Sequence, residues 1–315
     1  MATRARLDAE LVRRGLARSR EQARDLVDAG AVKVNGTVAA KAATGVTRDT
    51  PIVVDEAPKD DWASRGAHKL LGALDAFEPQ GLSVEGRRCL DAGASTGGFT
   101  DVLLRRGVRE VVAADVGYGQ LIWRLQNDDR VHVHDRTNVR HLEPELIGGP
   151  VDVVVADLSF ISLALVLPAL ARCCAPGADL LPMVKPQFEV GKDRVGSGGV
   201  VRDPALRAEA VLDVATEAAA LGLRTRGVVA SPLPGPSGNV EFFLWLRKEP
   251  GHRAGVESVQ SDRVDRSDSR AADPVDESPE RERDDQSRRD AQHERDRHTA
   301  ELRAMIERAV ADGPR

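Results

Sequence analysis

Four charged residues interrupt or adjoin apolar runs in this chain. They are Lys69 in SRGAHKL, Asp157 in VVADLSF, Lys185 in PMVKPQFE and Glu241 in PSGNVEFFLW. Amines and carboxylates in such surroundings are costly to bury without partners. Converging on one cleft, they could pair and adjust one another's proton affinity, which is the equipment of proton transfer. A second chemical feature is DAGASTGGFT, Asp91 to Thr100. Gly93, Gly97 and Gly98 let a backbone turn tightly and approach a ligand, and the N–H groups of the helix start that follows can point at it. The spacing is not Gly-x-Gly-x-x-Gly, because Ser95 stands at the second glycine position. Asp91 heads the turn, where a cationic ammonium could use it, and Asp115 ends the next apolar run, where an acid suits a ribose diol. Acids at both ends and no lysine inside the loop suit S-adenosylmethionine better than ATP.

Elements that could place these groups alternate along the chain. Residues 88–90 read as a short strand, Phe99 to Arg106 as a helix, and Val111 to Ala114 as the next strand. A helix at Leu121 and a strand at Val131 follow. Val151 to Ala156 is a near-continuous apolar strand, as a buried parallel sheet requires. A helix over Leu163 to Cys174, a strand over Leu180 to Val184 and a long helix over Pro204 to Leu221 come next. Gly227 to Ala230 and Glu241 to Leu246 make a final strand pair. The alternation predicts an α/β, doubly wound, mostly parallel sheet with helices on both faces. Ser64 to Phe77 is expected to become helical from about Lys69.

The first 55 residues read differently. Leu7, Leu11 and Val12 mark one short helix, and Ser19 with Gln22 forms a capping box for a second, closed by Gly30. Residues 31–34 alternate as a strand, Asn35-Gly36 is a hairpin turn, and residues 51–54 return as a strand. This small α+β module carries arginines along both helices. Nine basic and five acidic residues fall in positions 1–41, a charge balance that suggests nucleic acid. The net charge of the whole chain is −5, yet residues 249–315 hold 13 basic and 18 acidic side chains, so residues 1–248 balance to zero. From Glu249 to about His298 apolar residues are nearly absent, which predicts disorder. Leu302, Ile306, Ala309 and Val310 stand at helical spacing and predict at most a marginal terminal helix. The expected division is therefore 1–59, a linker at 60–63, a second domain over 64–248 and a charged tail over 249–315.

Cys89, Cys173 and Cys174 all lie in apolar runs without metal spacing, which suits a reducing cytoplasm and no metal. No signal pattern and no apolar run of membrane-spanning length is present.

The helix–helix–hairpin resembles the RNA-binding domain of the small-ribosomal-subunit S-four type over residues 5–55. Lys69, Asp157, Lys185 and Glu241 match, in order and context, the Lys-Asp-Lys-Glu tetrad of the FtsJ-like ribose 2′-O-methyltransferases. With SRGAHKL, LDAGASTGGFTD, AADVGYGQL, VVADLSFISL, MVKPQFEVG, GGVVRDP and SPLPGPSGNVEFFLWL, residues 1–248 resemble the TlyA family, rRNA methyltransferases also labelled haemolysins. The resemblance implies a Rossmann-like fold with a seven-stranded sheet, S-adenosylmethionine as methyl donor, and cytidine 2′-hydroxyls of small- and large-subunit rRNA as substrate. It places Asp91, Gly93, Ser95, Thr96, Gly97, Phe99 and Asp115 around the donor, with Thr137 and Asn138 towards its adenine. Lys185 is expected to accept the hydroxyl proton or steer the oxygen, with Asp157 and Glu241 holding the two lysines. Arg4, Arg6, Arg18, Arg20, Arg65 and Lys192 are the expected RNA contacts, since arginine forks bind phosphate without reading bases. Ribosomal subunits are the expected partners, a monomer the simplest assembly, and neither membrane nor metal is implied. The competing readings are a non-catalytic RNA-binding or ribosome-assembly factor and a membrane-active haemolysin. The acidic tail and the DDWA linker depart from the family's pattern without touching any catalytic position.

Overall fold

The computed structural model describes residues 4–17, 19–28, 30–54, 62–235, 237–250, 297 and 299–314. Arg18, residues 55–61, which hold the start of the expected linker, and residues 251–296 of the expected tail lie outside them. The chain divides into two compact units, Met1–Arg65 and Gly66–Arg315.

In the first unit β1 (Ala5–Arg6) leads into α1 (Leu7–Arg13), followed by α2 (Arg20–Asp28). The Gln22 N–H donates to Ser19 Oγ at 3.1 Å, the forward half of the capping box. Leu7, Leu11, Ala23 and Val27 turn inward from the two helices onto Val32 and Val46. The strands are β2 (Val32–Val34), β3 (Thr37–Val38), β4 (Gly45–Val46) and β5 (Ile52–Val54). β2 pairs antiparallel with both β3 and β5, and β1 pairs with β4. Asn35 and Gly36 join β2 to β3 at φ 51° and 80°, the left-handed pair that a two-residue hairpin turn requires.

The second unit begins with α3 (Gly66–Phe77), three residues ahead of the expected start. Ala67, Leu70, Ala73, Leu74 and Phe77 form its buried face, and that face, rather than the poor helix propensity of Gly66, sets its beginning. The chain then runs β6 (Arg88–Ala92), α4 (Gly98–Arg105), β7 (Glu110–Ala114), α5 (Trp123–Gln126), β8 (Val131–His134) and β9 (Val151–Ala156). Next come α6 (Leu167–Cys173), β10 (Cys174–Val184), α7 (Pro186–Glu189), α8 (Pro204–Ala220), β11 (Leu223–Ala230) and β12 (Phe242–Lys248). Pro168 lies in the first turn of α6, where its missing N–H costs nothing, so the expected helix from Leu163 is split into a 3₁₀ turn and α6.

The strands form one seven-stranded sheet in the order β11-β12-β10-β9-β6-β7-β8. β12 is antiparallel to both neighbours, and the remaining pairs are parallel. From β6 the chain winds outward through β7 to β8, then returns to β9 and winds the other way. The switch point therefore lies between β6 and β9, the place where open α/β sheets hold ligands at their carboxyl ends.

The terminal segment departs from the expected tail. Residues 299–312 form a helix, α9, with Leu302, Ile306 and Ala309 buried in the same core as Val211, Val214, Val240 and Leu244. The apolar spacing in the sequence was real, and a matching apolar face of the sheet is what makes the helix more than marginal.

Candidate active site

Sheet register brings three of the four charged groups to one end of the sheet. The last pairs of β10 with its neighbours are Pro182↔Ala156 and Val184↔Phe242. One step further along each strand stand Asp157, Lys185 and Glu241. Lys185 Nζ donates to Asp157 Oδ1 at 2.6 Å and to Ser159 Oγ at 2.9 Å. Lys69 sits on α3 rather than at a strand end, and its Nζ donates to Glu241 Oε2 at 2.6 Å. Lys69, Lys185 and Glu241 are buried. The structure thus gives each lysine its own carboxylate.

The loops around these pairs are tied to one another. Gly72 of α3 lies where a Cβ would sit 2.7 Å from the Pro232 ring, so only glycine admits this approach of helix and loop. At Gly235 a Cβ would lie 2.6 Å from Glu241 Oε1. Asn239 binds the 199–201 loop twice, accepting from the Val201 N–H at 2.9 Å and donating to Gly199 O at 2.8 Å. Glu189 accepts from Ser162 Oγ at 2.6 Å and from the Leu163 N–H at 3.0 Å, which fastens α7 to the segment after Asp157. Burial holds its carboxyl above the usual carboxylate range. Between these anchors Phe160, 91% exposed and at φ 64°, stacks its ring 5.3 Å from that of Phe188. A large ring left open at a left-handed backbone position marks this loop as a place to look for function.

The glycine turn lies between β6 and α4. Gly93 adopts φ 87°, and a Cβ there would meet the Asp157 carbonyl oxygen at 2.6 Å. Gly97, at φ 100°, faces Leu121 and Leu125 with no room for a methyl group. Asp115 accepts from the Ser95 N–H at 2.8 Å and the Gly117 N–H at 2.7 Å, so it ties the turn to the end of β7. Ser95 is itself left-handed, at φ 49°, and exposed; Thr96 is half-buried. Thr137 donates its N–H to Asp115 O at 2.8 Å, which puts it beside Asp115, and Asn138, next in the chain, caps the following 3₁₀ turn. Phe99 is buried against Phe243, with ring centres 5.9 Å apart. Asp91 is fully buried; Thr100 Oγ1 donates to its Oδ2 at 2.7 Å, while Oδ1 has no partner. Desolvation pushes its carboxyl up to about 7, against the Thr100 hydrogen bond and with the Asp157 charge. An orphaned buried acceptor beneath a glycine cradle fits a cationic ligand group.

Arg4, Arg6 and Arg20 lie exposed on the first unit, as does Arg65; Lys192 is exposed in the 3₁₀ turn after α7. Sequence reasoning missed Ser159, Thr100 and Glu189. Ser159 stands two residues from Asp157 in DLSF, and a hydroxyl beside a charged strand end was the available signal. Among the described residues no group of His, Cys, Asp and Glu could hold a metal ion, and no helix is long and apolar enough to cross a membrane.

Comparisons with known proteins agree with this architecture. Residues 62–248 match the FtsJ-like methyltransferases and residues 5–52 match the S4 domain. The Mycobacterium tuberculosis protein named 16S/23S rRNA (cytidine-2′-O)-methyltransferase TlyA is 62% identical over 260 residues, covering 82% of this chain and 96% of that one. Hemolysin A of Brachyspira hyodysenteriae is 35% identical, covering 76% of this chain and 98% of that one. A solved structure from Streptococcus thermophilus, bearing a provisional hemolysin name, superposes with a TM-score of 0.63 at 38% identity, over 79% of this chain and 90% of that one.

Proposed function

Because this chain belongs to the FtsJ-like methyltransferases and carries an S4 domain ahead of the catalytic one, we propose that it methylates the 2′-oxygen of cytidine riboses in ribosomal RNA. The observation that carries this reading is the pair of buried lysine–carboxylate contacts beside a glycine turn. A ribose hydroxyl is a weak nucleophile until its proton is shared or removed, and Lys185 Nζ is the group to do it. Asp157 Oδ1 and Ser159 Oγ fix two directions around that nitrogen, which aims the third at the substrate oxygen. Glu241 holds Lys69 in the same way at the neighbouring edge.

The cradle residues Asp91, Gly93, Ser95, Thr96, Gly97 and Asp115 would hold S-adenosylmethionine, with Thr137 and Asn138 towards its adenine and Phe99 backing the turn. That donor supplies a methyl group already activated on a sulfonium, so alignment, more than further activation, is what the protein must provide. Phe160 offers an open face on which a nucleotide lifted from its stack can rest. The arginines of the S4 domain, with Arg65 and Lys192, bind backbone phosphate. A ribosomal substrate implies a cytoplasmic protein.

The test is methyl transfer from labelled S-adenosylmethionine to purified ribosomal subunits, with digestion to nucleosides. Label on cytidine ribose, lost in Lys185→Ala, is the expected result. Label on a base, or full transfer by Lys185→Ala, overturns the reading. Leakage of liposomes by the purified protein would instead favour the function for which the Brachyspira relative is named.

A further inference from the structure

In the first unit an acid is buried among the arginines expected to hold RNA. Asp8, at the start of α1, is 0% exposed. Arg6 of β1 reaches it side-on, with Nε 3.1 Å from Oδ1 and Nη2 3.0 Å from Oδ2. Arg20 of α2 brings Nη2 to 3.3 Å from Oδ1 and 3.1 Å from Oδ2. Arg24, one turn along α2, places Nε 3.7 Å from Oδ2. The Ala9 N–H also donates to Oδ1 at 2.8 Å, which locks the carboxylate's orientation. Three guanidinium groups from two elements therefore share one carboxylate, and the cluster keeps a net positive charge.

A neighbouring acid behaves differently. Glu10 binds Arg13 and Arg14, but Arg14 also donates to the carbonyl oxygens of Thr47, Arg48 and Thr50 and is only 20% exposed. Arg14 is a staple between α1 and the strand loop. The side chains of Arg6, Arg20 and Arg24 remain 50%, 52% and 56% exposed, with no backbone carbonyl among the contacts just described. Each guanidinium has five N–H donors in a rigid fork, and Asp8 engages only the inner ones.

We propose that Arg6, Arg20 and Arg24 form one phosphate-binding site for RNA backbone, and that Asp8 is its positioning residue. Left to themselves, three cations on long side chains repel and sample many rotamers, and a phosphate must then order them. The buried carboxylate does that ordering in advance. It shields the mutual repulsion from below and leaves the outer edges of the forks turned outward. An acid inside an RNA site thus raises RNA affinity, the reverse of what its charge alone would do. The site rests on the RNA-binding reading above and adds to it Arg24 and the role of Asp8.

The experiment measures binding of the full-length protein to purified ribosomal subunits across a salt series, with methyl transfer assayed in parallel. Asp8→Asn is expected to weaken binding about tenfold and to raise KM for subunits while kcat holds. Equal or tighter binding by a folded Asp8→Asn variant overturns the proposal. Should that variant lose the S4 domain's thermal transition, two surface variants decide. Arg24→Gln is expected to lower the slope of log affinity against log salt by about 1, and an unchanged slope overturns the site. Arg20→Lys keeps the charge but not the fork; wild-type affinity there also overturns it. If wild type binds subunits with this pattern yet transfers no methyl group, the enzymatic reading fails and the phosphate site stands.

Discussion

Lys69 and Glu241, separated by 172 positions in the chain, meet at 2.6 Å with both side chains buried. Such a contact could be a structural clamp, a part of the chemistry, or both, and substitutions separate these. Removing one partner strands the other charge away from water, at a cost of about 3–5 kcal/mol, whereas replacing both with apolar residues is often neutral. Glu241→Leu is therefore expected to lower the melting temperature sharply, and Lys69→Met with Glu241→Leu to restore much of it. Methyl transfer should stay lost in the double variant. A double variant that recovers activity along with stability would reduce the pair to a clamp.

Lys185 stands closer to the proposed proton transfer, with two acceptors at 2.6 and 2.9 Å. Lys185→Ala is expected to lower kcat by about 10²–10⁴-fold, the usual weight of a positioned acid–base group. Calorimetric titration should find S-adenosylmethionine binding near wild type. Lys185→Arg restores charge without an amine that can give up its proton, so it should not rescue the rate. Rescue by arginine would assign the position to electrostatics alone.

Phe160, the chain neighbour of the Ser159 that this amine reaches, projects into solvent while Phe188 lies against its ring. If a nucleotide base rests there, Phe160→Ala should weaken binding of unmodified subunits by about 1–3 kcal/mol, the range of base–aromatic stacking. Phe160→Tyr should bind like wild type. Melting temperatures of both variants should barely move, because the ring buries almost nothing.

Burial raises the Asp91 carboxyl to about 7 from an ordinary 3.8. The folded state thus holds this proton more tightly than the unfolded one. The associated stability is fully present below about pH 4, and it is lost as pH climbs through 7. Asp91→Asn removes the titration, so urea midpoints of wild type should fall relative to the variant between those limits and then run parallel. A gap that stays constant with pH would mean the carboxyl titrates as it does in water. A cationic ligand group beside Oδ1 favours the ionised form. S-adenosylmethionine should accordingly bind wild type more tightly as pH rises towards 7 and release a proton on binding, which calorimetry in two buffers detects.

Much of this arrangement is legible along the chain. The near-continuous apolar run Val151–Ala156, interrupted only by Asp152, reads as an inner parallel strand, and DAGASTGG as a tight glycine turn. Asn35-Gly36 named its own hairpin. The pairing of lysines with acids is different in kind. It depends on β10 aligning Pro182 with Ala156 of β9, and on α3 lying where Lys69 reaches the residue before β12, arrangements fixed by side chains far apart in the chain and invisible in any one element alone. The helix was expected from about Lys69, yet it begins at Gly66, because the buried face of α3 outweighs one poor helix former. Ser159 carried no pattern of its own. Its meaning comes from the lysine that reaches it.

The terminal helix α9 gives the last expectation. Isolated helices of this length are marginal in water, so residues 299–312 owe their order to the face they cover. Leu302, Ile306 and Ala309 enter the core shared with α8 and β12, and a Cβ at Gly313 would lie 3.0 Å from Val240, the neighbour of Glu241. Ile306→Ala removes buried methylenes and should cost about 2–5 kcal/mol unless the helix detaches first. Detachment caps that loss, because a released helix no longer feels its own substitutions. Ending the chain at residue 296 measures the cap directly. The truncated protein should melt lower, and Ile306→Ala should fall between it and wild type. Methyl transfer assayed well below the transition should survive in both, since α9 supplies no group to the site. A truncated chain that melts with wild type would mean that the docking of α9 contributes nothing to stability.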